Sequence, residues 1–175
     1  MKTLTKTLLS SALLAGLSLI ASPARAGTAT SNMAVSMTVA ANCTISAGAL
    51  SFGGYDPITA NASTNLNGTA GLSVSCTGGA AGVITLGQGS NGATSSSDSA
   101  PLRQASNGAG TPSFLSYALY QDTGRTTVWG NTAGTGASYT GTGSQTLVTV
   151  YASVAAGQNV PAGSYSDTVV ATVTF

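Results

Sequence analysis

Residues 32–39 read Asn32-Met33-Ala34-Val35-Ser36-Met37-Thr38-Val39, and this stretch decides what kind of fold the chain encodes. Met33, Val35, Met37 and Val39 occupy alternate positions, separated by small or polar residues. A period of two puts successive side chains on opposite faces of an extended backbone, so the pattern predicts a strand with one apolar face. A strand needs an edge to pair with, because every backbone N–H and C=O must find a hydrogen-bond partner. That edge belongs either to the chain's own sheet or to another molecule, and the pattern leaves both open.

Upstream lies a segment of a different kind. Lys2 and Lys6 precede the apolar run Leu8–Ile20, which is followed by Ala24-Arg25-Ala26 and Gly27. A basic head, an apolar core too short to span a bilayer and a small-residue cleavage site predict a secretory signal over residues 1–26. Gly27 after the cleavage site, where a bacterial lipid anchor requires Cys, gives no indication of such an anchor. Removing 26 of the 175 residues leaves 149, enough for one domain with a proper core.

The charges of this mature portion exclude several functions. Its ionic residues are Arg103 and Arg125 against Asp56, Asp98, Asp122 and Asp167, a formal net charge of −2, and it contains no Lys, Glu or His. Phosphate backbones are bound by clustered Lys and Arg, so nucleic acid is not an expected partner. An electrostatic membrane anchor is excluded on the same ground. Without His or Lys there is no Ser-His, Cys-His or Ser-Lys pair and no Schiff base, and nothing clusters as metal ligands do. The reading is of a non-enzymatic protein without metal or cofactor.

Downstream of the opening strand, short apolar runs alternate with turn chemistry, and no helical periodicity is found. Strands are expected near 33–46, 50–53, 71–76, 82–87, 114–121, 126–130, 146–154 and 165–175. Asn67-Gly68, Asn91-Gly92 and Asn107-Gly108 suit tight turns, Asp122-Thr123-Gly124 suits a hairpin turn, and the polar stretch 87–110 suits a long surface loop. Many short strands with Gly-rich turns imply an all-β sandwich. Cys43 and Cys76, an even pair in an exported chain, are expected to form one disulfide. On the chain-entropy account it would stabilise the fold by roughly 3–4 kcal/mol.

The last strand mirrors the first. Tyr165, Val169, Ala171, Val173 and Phe175 share one face with Asp167 as the exception, and Ser166, Thr168, Thr172 and Thr174 share the other with Val170. The sequence stops inside this strand at Phe175. An Ig-like sandwich normally ends with two paired strands, so the expectation is a sandwich missing its last strand, with an open groove and an unpaired edge.

Four motifs are read more plainly. Gly87-Gln88-Gly89-Ser90-Asn91-Gly92 fits the dinucleotide-binding spacing, but Ala93–Ser97 lacks the apolar periodicity of the helix that pattern needs. Asp122-Thr123-Gly124 matches the aspartic-protease triplet, yet Gln121 and Arg125 flank it where apolar neighbours are required. Asn42, Asn61 and Asn67 head glycosylation sequons. Tyr117, Tyr120, Trp129, Tyr139 and Tyr151 are the residues a carbohydrate site would use, with packing as their ordinary role.

In their order the residues resemble the spore coat U domain family, which includes pilins of archaic (Csu-type) chaperone–usher pili. The resemblance rests on Cys43-Thr44-Ile45, Leu50-Ser51-Phe52-Gly53 with Tyr55, Val74-Ser75-Cys76, and Ile84-Thr85-Leu86. It continues through Arg103, Leu115–Tyr120 with Asp122, Trp129-Gly130, Tyr151, Gln158, Pro161–Tyr165 and Asp167-Thr168-Val169. Ala105 departs from the family pattern, which leads one to expect Met or a similar apolar residue there. The resemblance implies an incomplete Ig-like β-sandwich over 42–175, completed by a donor strand from a neighbouring subunit. It assigns 27–41 as the donor segment, with Met33, Val35, Met37 and Val39 entering a neighbour's groove. Tyr165, Val169, Ala171, Val173 and Phe175 would line the acceptor edge. It further implies a periplasmic chaperone and an outer-membrane usher as partners, and a homopolymeric surface fimbrium serving attachment and biofilm formation. The alternative is a self-contained secreted or spore-coat-like sandwich that does not polymerise.

Overall fold

A computed structural model describes residues 24–175. The chain divides into two units, residues 1–37 and 38–175. In the first, the described residues 24–37 are exposed and carry neither helix nor strand. The expected signal falls almost wholly on residues outside those described.

The second unit holds eight strands: β1 (Cys43–Ala47), β2 (Leu66–Cys76), β3 (Ala81–Leu86), β4 (Arg103–Ser106), β5 (Phe114–Tyr120), β6 (Ala137–Thr140), β7 (Gln145–Val154) and β8 (Ala171–Thr174). They form a five-stranded sheet in the order β1-β2-β7-β5-β4 and a three-stranded sheet in the order β6-β3-β8. Every pairing is antiparallel. The architecture is the all-β, two-sheet sandwich expected from the sequence.

Alternation builds the core. In β2, Leu72, Val74 and Cys76 turn inward, and in β7, Val150, Ala152 and Val154 do so; Ile84 and Leu86 answer from β3. Each buried aliphatic side chain contributes roughly 1.5–3 kcal/mol. Trp129 is buried beside them although it stands outside any strand; its indole Nε1 donates to the Ile84 carbonyl at 2.8 Å. Cys43 and Cys76 sit directly opposite each other in the β1–β2 register and are joined as a disulfide.

Several expectations need correction. Residues 33–42 are not a strand, and neither are 50–53. The stretch 126–130 makes only a single bridge, Val128 to Tyr120. Of 165–175 only Ala171–Thr174 form a strand, with an isolated bridge from Ser166 to Ser106. Asn67-Gly68 is no turn: both lie within β2, opposite Ser153 and Ala152. A Cβ on Gly68 would stand 3.1 Å from the Phe52 ring, so this glycine serves close packing. The expected surface loop 87–110 contains β4, and β6 was not anticipated at all. Gly108 does adopt the left-handed conformation, φ 67°, that its turn between β4 and β5 requires.

Candidate functional site

β1 and β8 are edge strands of different sheets, and they lie against each other. Beyond their contact the two walls separate. One wall continues from β1 through Ala47–Phe52, and the other runs back from β8 through Val169 to Tyr165. Between them is a cavity of about 420 Å³ whose floor is core: Leu72, Leu86, Leu119 and Val150. A second cavity of about 760 Å³ continues it toward Tyr55, Pro57 and Pro161. Leu50, Phe52, Ala105, Tyr117 and Tyr165 line both, so the two make one groove. Ala105 contributes only a methyl group to this shared floor.

The strand bordering the groove is bonded along one edge. Ser166 exchanges two backbone hydrogen bonds with Ser106, each 2.9 Å. The carbonyls of Thr168 and Val170 accept from Ser90 N–H (3.1 Å) and Gly87 N–H (2.9 Å), and residues 171–174 pair with β3. Even-numbered residues thus face solvent while Tyr165, Asp167, Val169, Ala171 and Val173 turn inward. Along its other edge β8 has no strand partner among the described residues.

Asp167, the polar exception on the inward face, is explained by its partners. Its carboxylate accepts from Ser90 N–H (2.8 Å), Asn91 Nδ2 (3.1 Å), Thr168 N–H (2.8 Å) and the Tyr117 hydroxyl (2.7 Å). Beside this cluster Arg103 is only 1 % exposed and donates to the carbonyls of Gly87, Leu86 and Trp129 at 2.7–2.8 Å. Burial lowers its guanidinium to about 10, against the opposing influence of Tyr117 and Asp167. Burial also pushes the Tyr117 hydroxyl well above its ordinary value, helped by its hydrogen bond to Asp167. At neutral pH the arrangement therefore holds a charged Arg and a neutral Tyr, and with Asp167 they fix the groove wall.

Of the acceptor residues expected from the sequence, Tyr165, Val169 and Ala171 line the groove. Val173 packs on the core instead, and Phe175 is 53 % exposed. The expected donor residues Met33, Val35, Met37 and Val39 are 85, 70, 84 and 80 % exposed, unusual for four large apolar side chains in one short stretch. The floor residues Leu72, Leu86, Leu119 and Val150 were not anticipated as site residues. Their only sequence signal is core alternation, which does not separate a floor from a filled interior.

The competing motifs resolve into structure. The glycine-rich run 87–92 laces the C-terminal strand through Gly87 and Ser90, and no helix follows it. The Asp122 carboxylate accepts from Thr127 N–H (2.7 Å) and Thr126 N–H (3.1 Å), and it caps the turn. These bonds, the one from Thr127 foremost, hold its pKa below the ordinary 3.8, the opposite of what an acid catalyst needs. Asn61 is buried, with its side chain bonded to Asp56 N–H and the Thr64 carbonyl, so its sequon is spent on a turn. The aromatic residues are dispersed: Trp129 in the core, Tyr117 at the groove floor, Tyr139 with its hydroxyl on the Val74 carbonyl, and Tyr151 beneath Arg125.

Comparison with known proteins agrees with this architecture. The model of the Spore Coat Protein U domain matches residues 29–172. Protein U of Myxococcus xanthus is 49% identical over 171 residues, covering 94% of this chain and 95% of that protein. Among solved structures, the chaperone–tip adhesion subunit pre-assembly complex CsuC–CsuE, from archaic chaperone-usher Csu pili of Acinetobacter baumannii, contains a similar fold. The TM-score is 0.51 at 22% identity, and the match covers 79% of this chain and 40% of the solved one. With the matched domain spanning both walls of the groove, the chain belongs to the Spore Coat Protein U domain family.

Proposed function

We propose that this chain is a structural pilin, of the shaft type, that polymerises by donor-strand exchange into thin surface fibres used in attachment and biofilm formation. One observation carries the reading: a groove opens onto the hydrophobic core beside a strand edge unpaired among the described residues, in a chain that also exposes an alternating apolar segment. An exposed apolar groove and an unpaired edge are aggregation hazards unless something fills them.

The occupant is residues 27–41 of a second copy. From Met33 to Val39 an extended strand spans about 20 Å. It offers ladder hydrogen bonds to the free edge, while its four apolar side chains enter the groove at roughly 1.5–3 kcal/mol each when fully buried. Such a head-to-tail contact does not close on itself, so it makes a fibre. In this reading residues 1–26 direct export, a periplasmic chaperone fills the groove before assembly, and an outer-membrane usher exchanges it for the next subunit. The likeness to a chaperone-bound Csu subunit supports this through the fold. The rival reading is a self-contained coat-like sandwich, in keeping with the name of the Spore Coat Protein U domain.

Electrophoresis in SDS of the exported protein, with and without boiling, separates the two. Donor-strand exchange gives a heat-labile ladder at multiples of the subunit mass, lost when residues 28–41 are deleted or when Val35→Asp or Met37→Asp is introduced. A single monomer band in both lanes, with a cooperative melt of the isolated protein, overturns the pilin reading in favour of the self-contained sandwich.

A further inference from the structure

A chain that carries both a groove and a segment able to fill it faces a competition. Its own segment is present at the millimolar effective concentration of a short tether, whereas a second copy must arrive by diffusion. The register of this sequence makes the internal route unusually favourable. If residues 40–42 formed a three-residue hairpin loop, Val39 would lie opposite Cys43 and Met37 opposite Ile45. Directly opposed residues share a face. Cys43 and Ile45 pack against the core, so the donor's apolar face would be in phase with it. Self-insertion is thus in phase with the core, and beyond the contact of β8 with β1 that it would have to open, it meets a second obstacle.

We infer that Thr77 is the residue that opposes it, a positioning residue that keeps the donor segment available to a second copy; this rests on the donor-strand reading above. Asn42 continues the β1–β2 ladder past the Cys43–Cys76 pair. Its carbonyl accepts from Thr77 N–H at 2.9 Å and its N–H donates to Thr77 Oγ1 at 3.1 Å. The same hydroxyl lies 3.4 Å from the carbonyl oxygens of Ala40 and Asn42. One side chain therefore holds residues 40–42, those of the three-residue loop, in line with β1. A loop there must give up these bonds. The adjoining turn fixes Thr77 in turn, because its carbonyl accepts from Ala80 N–H at 2.9 Å and Gly79 takes φ 78°. The disulfide one residue away anchors the pin to the sandwich.

The test uses the chain exported with its assembly genes, as wild type, Thr77→Val, which keeps the backbone bond, and Thr77→Pro, which removes the N–H as well. The readouts are the monomer-to-multimer ratio on unboiled gels and uptake of a synthetic peptide of residues 27–41 by the monomer fraction. The expected result is a ratio raised about tenfold in Thr77→Pro and less in Thr77→Val. The accumulated monomers keep the disulfide and refuse the peptide, because their groove is already filled. Wild-type ratios in both variants overturn the role of Thr77 and leave the pilin reading intact. Monomers that accumulate but still take up the peptide also overturn it, since their groove is open. Should Thr77→Pro lose its native circular dichroism, Thr77→Val alone decides by the same two readouts. A wild type without multimers removes the pilin reading, and this inference with it.

Discussion

Residues 33–39 and residues 165–175 are written in the same alphabet, yet the structure treats them oppositely. Both alternate apolar with small or polar side chains. The first is exposed on every apolar position, whereas the second is half-buried on alternate positions and bonded along one edge. The difference lies in what surrounds them. The C-terminal strand rests on Asp167, which ties it to Ser90, Asn91 and Tyr117, and on β3. Between Gly27 and Asn42 there is no ionisable side chain with which to build such an anchor. Alternation announces a strand; the residues that interrupt the alternation decide whether it is held by its own domain.

That contrast can be broken first at Asp167. Replacing it by Ala leaves the Tyr117 hydroxyl without its acceptor and the Ser90 N–H with the Thr168 carbonyl alone, and the domain should lose about 2–3 kcal/mol, read from a denaturant midpoint. Unchanged stability would mean that β3 alone holds the strand. Next comes Val173→Ala on the inward face, expected to cost about 1–2 kcal/mol by lost packing. A milder effect follows acidification. Asp98 is held below the ordinary 3.8 by hydrogen bonds from Gln88 and then Asn131, and Asp122 by Thr127 and Thr126. Folded pKa values lowered in this way contribute stability that is complete above the unfolded value and lost as pH falls through the folded one. The melting temperature should hold down to about pH 4 and decline below it. Asp98→Asn should flatten part of that decline. Smallest is Val35→Ala, which should change the melting of the isolated monomer by less than about 0.5 kcal/mol because nothing there is buried. A larger loss would show that the segment packs on its own domain.

Legibility in the sequence followed the same logic. The strands with strict alternation or dense apolar content, β3, β5 and β7, were readable nearly to their ends, β2 only from residue 71 onward, and the disulfide was readable too. β4 was hidden because its buried member is Arg103, admitted to the interior by three carbonyl acceptors rather than by hydrophobicity. β6 was hidden because Ala137-Ser138-Tyr139-Thr140 is short and offers one large side chain. Asn67-Gly68 misled in the other direction: a turn dipeptide was consumed by a close approach to Phe52. The inward residues of the C-terminal wall could be read as a face, while the groove floor could not, since a floor differs from a core only in what is missing above it.

The C-terminal strand has a mechanical consequence. It begins on one sheet, at the Ser166–Ser106 bridge, and ends on the other, along β3. Ladder bonds stand perpendicular to the strand. Tension applied along it would therefore load the bonds of Ser166, Thr168, Val170 and residues 171–174 together, in shear, instead of peeling them one by one. The strand works as a rivet through both layers, and a pull on one sheet is passed to the other without first opening the core.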